Sequence, residues 1–476
     1  MKINKLFTIT IILIPFFIYS CNMMNNRSSS LKYESGKFDN PLTIPAVLEP
    51  TIIDGVKNYD LKIQKSTHEF FKGYKTNTYG VNTSFLGPTL RFDNGDKVSL
   101  NFTNLLNEAT TMHGHGMHVP ANMDGGPHQK IMPSQSWSAK YTVKQKAATN
   151  WYHPHLMGKT AEHVYKGLAG FIIIEDDEIK NLDLPKTYGV DDIPLVLQDR
   201  FFSKDGQFVY SPNMREVMHG YNGDIFLTNG VFEPFIDLKA KEIRFRILNG
   251  SNSSVYNLKF SNNQKFKQIA TDNSLLETSV ELTSLLLSPG ERAEIIINLT
   301  NLKGKSIYLE EIKTNKSFLK INIENTISLE TTTTPNKLTN LNFYNIKDAK
   351  RTRKFTLSGR MGNLYINGRS MDMNYINEEI PVGKVEIWEV NNTMNTSHNF
   401  HIHATHFIII ERNGSKNNVK SNEKGYKDTV YLAPNERVKL LVKMTDYTDN
   451  KNTYMYHCHF LEHEDNGMMG QFTVVE

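Results

Sequence analysis

Near the C-terminus the triplet His457-Cys458-His459 sets a thiol between two imidazoles, and the only other cysteine in the 476 residues is Cys21. Three more His-x-His pairs occur, His113/His115, His153/His155 and His401/His403. With 16 histidines in the chain, chance spacing would give about half of one such pair. In an extended strand residues i and i+2 share a face and i+1 points the other way. Each pair therefore aims two imidazoles into one space. One pair alone reads most simply as two rings on a strand face; four together do not. Neutral imidazole is a ligand for copper, zinc, iron and nickel, and eight of them suffice for several metal ions. The same alternation turns Cys458 away from its neighbours, so a single strand would serve two sites almost in covalent contact. His463 and Met468 follow Cys458 by five and ten residues, and His398 precedes His401 by three. A thiolate, two imidazoles and a distant methionine form the ligand set of a blue-copper electron-transfer centre.

The elements that must hold these residues read as strands. Short runs with period-two alternation dominate, such as Lys97–Phe102, Ile243–Leu248 and Val438–Val442, separated by Gly, Asn, Asp and Pro. Long stretches of helical period are scarce, so the class is all-β, built of sandwiches. A turn-then-strand phrase recurs at Phe92–Val98, Leu287–Ala293 and Leu432–Val438, which suggests related domains. The length is too great for one core. Divisions are expected near 178–192 and in the Thr/Asn-rich stretch 331–350. The composition is that of a globular protein, with 39% hydrophobic and 22% charged residues. A net charge of +4 with no dense basic run gives no footprint for nucleic acid.

Lys2 and Lys5 precede an apolar run from Leu6 to Tyr19 that is short for a membrane span, the pattern of a secretory signal peptide over 1–21. Ile18-Tyr19-Ser20-Cys21 resembles a lipobox, whose cysteine carries lipid and becomes the new N-terminus, although Tyr19 stands where a small residue is usual. A plain cleaved signal and an uncleaved anchor are the other readings. The expectation is thus an exported protein, periplasmic or at the cell surface, with Cys21 as the candidate membrane attachment. Outside the cytoplasm cysteines usually pair, and with Cys21 in the leader Cys458 has no partner. A metal would occupy it.

These segments resemble the three-domain multicopper oxidases, the family of laccases, bilirubin oxidases and bacterial copper-efflux oxidases. The resemblance rests on His113-Gly114-His115-Gly116, Trp151-Tyr152-His153-Pro154-His155, His398-Asn399-Phe400-His401-Ile402-His403 and His457-Cys458-His459 through Met468. Gly87-Pro88-Thr89-Leu90-Arg91, Asp124-Gly125-Gly126-Pro127, Leu227-Thr228-Asn229-Gly230 and Ile366-Asn367-Gly368-Arg369 support it. It implies three cupredoxin-like Greek-key β-sandwich domains at 46–180, 190–328 and 353–476. A polar tether would span 22–45 and a linker 329–352, and the middle domain would hold no copper. It implies four copper ions. Cys458, His398 and His463 would bind the type 1 copper, with Met468 axial, and His113 and His401 the type 2 copper. One type 3 copper would take His115, His153 and His459, the other His155, His403 and His457. Substrate electrons would enter at the type 1 site, and dioxygen would become water at the trinuclear cluster, with Asp124 and Glu464 delivering protons. The partners implied are dioxygen and either cuprous ion or small phenolic reductants, acting on a monomer.

The sequence departs from the family pattern at Gly114, where most relatives carry Trp, and it lacks a methionine-rich insertion before the last domain. Small methionine groups occur at Met112/Met117/Met123 and Met214/Met218, the latter beside His219; such a pair is usually packing, with Cu(I) binding as the alternative. Glu462 and Asp465 read as structural acids. Six histidines outside the signature, His68, His118, His128, His163, His219 and His406, read as surface or supporting residues. A copper nitrite reductase would lack the full set of pairs. A copper-sequestering protein with little turnover would keep them, and oxygen uptake separates it from an oxidase.

Overall fold

A computed structural model describes residues 27–327, 331–360 and 362–476. The expected signal peptide and Cys21 lie outside these residues. The described chain is all-β, with strands in six sheets that pair off along the sequence. Strands between 51 and 175 form a five-stranded and a four-stranded sheet, those between 192 and 327 a seven-stranded sheet and, with Asn40–Pro41 added at its edge, a six-stranded one, and those between 351 and 475 two five-stranded sheets.

Alternation of apolar and polar residues makes these sheets two-faced. Along Val385–Asn392, Trp388 and Val390 are buried while Ile387 and Glu389 are half-buried. In the third sheet pair Phe355, Trp388, Phe400, Tyr456 and Phe472 interlock, with Phe355 4.7 Å from Trp388 and 4.8 Å from Tyr456 between ring centroids. A separate aromatic layer, including Phe70, Phe85, Trp151, Phe171, Phe202 and Phe232, seals the first pair against the second. Burial of this kind contributes roughly 25 cal/mol per Å² of apolar surface removed from water.

Residues 22–45 were expected as a tether, yet 27–45 are laid down on the protein. Arg27 Nε donates 2.8 Å to Glu216 Oε1, Ser29 N donates 2.8 Å to Asp224 Oδ2, and Asn40–Pro41 pair in parallel with Pro234 and Phe235. The reason is a set of apolar residues spaced through a polar stretch: Leu31 joins the aromatic layer, Phe38 packs edge-on to Tyr308 at 5.2 Å, and Leu42 and Ile44 pack against the core of the second sheet pair. The linker is likewise held, with Leu338 and Leu341 buried and Thr339 Oγ1 donating 2.6 Å to Glu178.

The histidine pairs sit on the inner sheets of the first and third pairs. His113–His115 lies antiparallel to Ala148–His153, with His113 opposite His153. His398–Ile402 lies between Thr429–Leu432 and Asp449–His457, with His401 opposite His457.

Candidate metal centre

Eight imidazoles from these four segments converge, all of them essentially unexposed. Their donor atoms form groups lying within 4.8 Å of one another: His113, His115 and His401; His115, His153 and His459; His155, His403 and His457. His115 stacks on His401 at 3.8 Å between centroids and His113 on His403 at 3.9 Å, so rings from the first and third sheet pairs meet face to face.

The back of each ring is tied down. His113 Nδ1 donates 2.7 Å to the Asp124 carbonyl, His153 Nδ1 2.7 Å to the Pro154 carbonyl, His401 Nδ1 2.9 Å to the Asp428 carbonyl and His457 Nδ1 3.2 Å to the Cys458 carbonyl. A carbonyl only accepts, so these Nδ1 atoms carry the proton and the lone pair lies on Nε2. Burial, with His401 nearby, pushes His113 down to about 3. Burial first and neighbouring imidazoles second hold His153, His155 and His403 well below the ordinary histidine value. These four rings are therefore neutral near pH 7, with lone pairs available. His113 Nε2, His153 Nε2, His401 Nε2 and both His459 nitrogens are buried without a hydrogen-bond partner. Such orphaned nitrogens are costly, and cations bound among them would satisfy them.

Two carboxylates stand behind the ligand rings. His403 Nδ1 donates 2.7 Å to Asp124 Oδ2. Glu464 places its oxygens 3.3 Å from His155 Nδ1 and 3.2 Å from His457 Nδ1. The position of Asp124 depends on the turn that follows: Gly125 has φ +75°, and a Cβ there would lie 1.8 Å from the Met112 carbonyl oxygen. Burial raises both carboxyls well above their ordinary range, with Asp465 adding to the effect on Glu464.

On the other side of the strand Cys458 Sγ lies 3.5 Å from His398 Nδ1 and 3.5 Å from His463 Nδ1, and the two nitrogens are 3.1 Å apart. Met468 is fully buried in the same apolar cluster as Cys458, and its carbonyl accepts from Cys458 N at 3.0 Å. Burial pushes the thiol up to about 12, so at neutral pH it keeps its proton until a metal displaces it. Thiolate and imidazoles suit copper, and the histidine groups suit the same metal. Among the described residues none of the candidate groups draws on 192–327.

The middle sheets nevertheless reach both sites. The helix Met214–His219 turns Val217 into the core that holds Cys458, and the carbonyls of Val217 and Met218 face the His463 ring. Met218 packs on that core, whereas Met214 is exposed. Glu462 accepts from Asn252 Nδ2 at 2.8 Å and from Ser253 Oγ, and Asp465 accepts from the backbone of Thr160 and Ala161 at 3.0 and 2.9 Å.

Sequence reasoning missed Asp428 and Arg292. Asp428 Oδ1 lies 2.9 Å from His115 Nε2, and Arg292 donates to Oδ1 and Oδ2 at 2.8 and 2.6 Å. Burial opposes ionisation of Asp428, but Arg292 and His115 more than offset it and hold the carboxyl well below its usual range. Neither residue belongs to a histidine pattern; Arg292 falls within the recurring turn phrase, where only the turn was legible. Of the histidines outside the signature, His163 is fully buried, His118 binds the Ala404 carbonyl, His128 binds Gln471, and His406 binds the Gly116 carbonyl. His68 binds Ser84, and His219 is exposed. The surface reading thus fails for His163, whose helix faces inward.

Two family profiles described as multicopper oxidase match residues 62–179 and 331–476. The chain belongs to the multicopper oxidase family, and with that come copper and an oxidoreductase fold of cupredoxin domains. It is 39% identical to the multicopper oxidase mco of Staphylococcus aureus, over 94% of this chain and 95% of that protein. It is 36% identical to the laccase of Pediococcus acidilactici, whose crystal structure superposes with a TM-score of 0.87 over 94% of this chain and 95% of that one. It is also 34% identical to the cell division protein FtsP of Xenorhabdus nematophila, over 91% of this chain and 92% of that protein.

Proposed function

We propose that this protein is a four-copper oxidase that takes single electrons from cuprous ion or small phenolic reductants and passes them to dioxygen, forming water. The observation that carries the reading is the division of labour on one strand end: Cys458 joins His398 and His463, while His457 and His459 join the two groups completed by His155/His403 and His115/His153. Bound copper would supply one-electron acceptance at the Cys458 site and multi-electron reduction of dioxygen at the histidine cluster. His398, Cys458, His463 and Met468 would hold the first copper, and His113 with His401 the type 2 ion. The groups His115/His153/His459 and His155/His403/His457 would each hold one type 3 ion.

The chain's own residues keep the imidazoles neutral, fix their orientation by the carbonyls behind them and exclude bulk water. The peptide units flanking Cys458 join the two sites by the shortest covalent path a strand allows. Asp124 and Glu464, both buried beside ligand rings, hold protons for release toward the cluster. The leader reading supports an extracytoplasmic location, with Cys21 as the candidate lipid attachment, and the protein acts as a monomer.

The FtsP relatives raise a second reading, a structural or copper-holding protein without turnover. The complete donor groups favour the oxidase. Copper-loaded protein given cuprous ion or a phenol should consume oxygen. A filled cluster with no oxygen uptake on either reductant would remove the oxidase reading.

A further inference from the structure

We propose that Arg292 is a positioning residue for the metal cluster: gripping Asp428, it fixes the ring nitrogen that His115 presents, so the middle domain shapes a centre to which it gives no ligand. The inference rests on the copper reading above.

His115 is held the opposite way round from its neighbours. In His113, His153, His401 and His457 the Nδ1 atom is bonded to a carbonyl and Nε2 is left for the metal. In His115 it is Nε2 that is engaged, 2.9 Å from Asp428 Oδ1 and 3.3 Å from Thr429 Oγ1, while Nδ1 is buried with no partner. A carboxylate accepts the Nε2 proton and leaves the lone pair on Nδ1. His115 belongs to two of the three histidine groups, so a flipped ring or the wrong tautomer would disturb both.

A carboxylate can impose this only if it cannot rotate away or find another donor. Arg292 supplies the constraint. Its guanidinium takes both oxygens of Asp428, and its remaining N–H groups are spent on fixed acceptors. Nε donates 2.9 Å to the Thr149 carbonyl, Nη1 3.0 Å to the Gly290 carbonyl, and the one N–H left on Nη2 is shared between Asn150 Oδ1 at 2.9 Å and Asn273 Oδ1 at 2.7 Å. Arg292 N in turn donates 2.9 Å to Asp272 Oδ1. The acceptors therefore come from the first and middle sheet pairs and the carboxylate from the third. Space for this junction comes from Gly116 (φ +83°), beside His115: a Cβ there would lie 2.6 to 2.8 Å from Asn150, Arg292 and Asp428. The planar two-pronged grip is a property of arginine that lysine lacks.

The test uses full-length, copper-loaded Asp428→Asn and Arg292→Lys proteins. Asparagine keeps the shape of aspartate and loses the charge; lysine keeps the charge and loses the fork. Each is expected to retain the type 1 blue absorption, since His398, Cys458 and His463 are untouched. Each is expected to show magnetically uncoupled type 3 copper by EPR, fewer than four coppers per chain, and at least a tenfold lower oxygen consumption per blue copper with cuprous ion or a phenol. Arg292→Gln, lacking both charge and fork, should be affected more than Arg292→Lys. Four coppers with the unaltered spectrum in both Asp428→Asn and Arg292→Lys would overturn the inference. So would loss of the blue absorption together with the cluster in Asp428→Asn, which would mark a general structural role. A parent protein that takes up no copper would instead remove the underlying reading.

Discussion

His401 lies directly opposite His457 on adjoining antiparallel strands, with ring centroids 5.3 Å apart. Residues in register share a sheet face. One step further along the chain, Cys458 faces the other way and meets His398, which is three residues before His401 and so also on the opposite face. Two strands therefore build parts of two metal sites by alternation alone.

Replacing Cys458 with serine should abolish the intense blue absorption and the oxidase activity. The side chains are close in size, and Cys458 is one member of a large apolar cluster, so circular dichroism should show a folded chain. A blue, active Cys458→Ser protein would refute the role of the thiol.

Asp124→Asn and Glu464→Gln should each slow oxygen reduction on the order of 10²-fold, the usual effect of losing a positioned proton donor. The blue absorption should persist, because neither acid side chain hydrogen-bonds to Cys458, His398 or His463. Stopped-flow measurement of type 1 reduction and reoxidation separates the two half-reactions; slowing confined to reduction would argue against proton delivery.

Gly114→Trp should not simply restore the family pattern. A Cβ at 114 would already stand 3.0 Å from Met117 Cγ, and Met117 is fully buried with Met112 in the core beneath. Crowding of that kind costs about 1–3 kcal/mol. Thermal melts should show Met117→Ala relieving part of this loss in the double variant; independent, additive effects would show that Met117 does not fill that space.

Removing copper should lower the melting temperature, since a ligand bound only by the folded state stabilises it by mass action. The histidine groups span the first and third sheet pairs, so limited proteolysis should also accelerate. Equal melting curves with and without a chelator would mean that the metal adds no such bond.

Acid should weaken the seam between the first and middle sheet pairs, where Glu294 Oε1 accepts from Thr149 Oγ1 at 2.7 Å and from Arg246 Nη1 at 3.0 Å. Burial disfavours the Glu294 charge, but Arg244 and Arg246 prevail and lower its carboxyl to about 2. Its unfolded value is near 4.5. The stabilisation, about 3 kcal/mol, is present above pH 4.5 and lost as pH falls toward 2. Urea melts of wild type and Glu294→Gln should therefore converge over that window. A constant gap between them would contradict it.

The strands and the donor groups were legible because both rest on period two, the one spacing a sheet imposes on sequence. His113, His153, His401 and His457 announce themselves as pairs. Asp428 does not: its partner His115 is far away in sequence, and a lone acid at the start of a strand resembles any surface residue. Arg292 hides for a similar reason, since apart from the Gly290 carbonyl its side chain bonds to residues far away in the chain, Thr149, Asn150, Asn273 and Asp428. The docking of 27–45 was obscured by composition, because a few apolar residues, Leu31, Phe38, Leu42 and Ile44, decide it against a polar background.

The cluster's eight imidazoles come in equal shares from 113–155 and 401–459, and the thiol lies between the last two of them. A polypeptide lacking 457–476 would keep six of those eight imidazoles but neither the sulfur nor Met468. One short segment, 457–468, would thus decide whether the blue colour can appear at all, while most of the cluster's rings lie elsewhere.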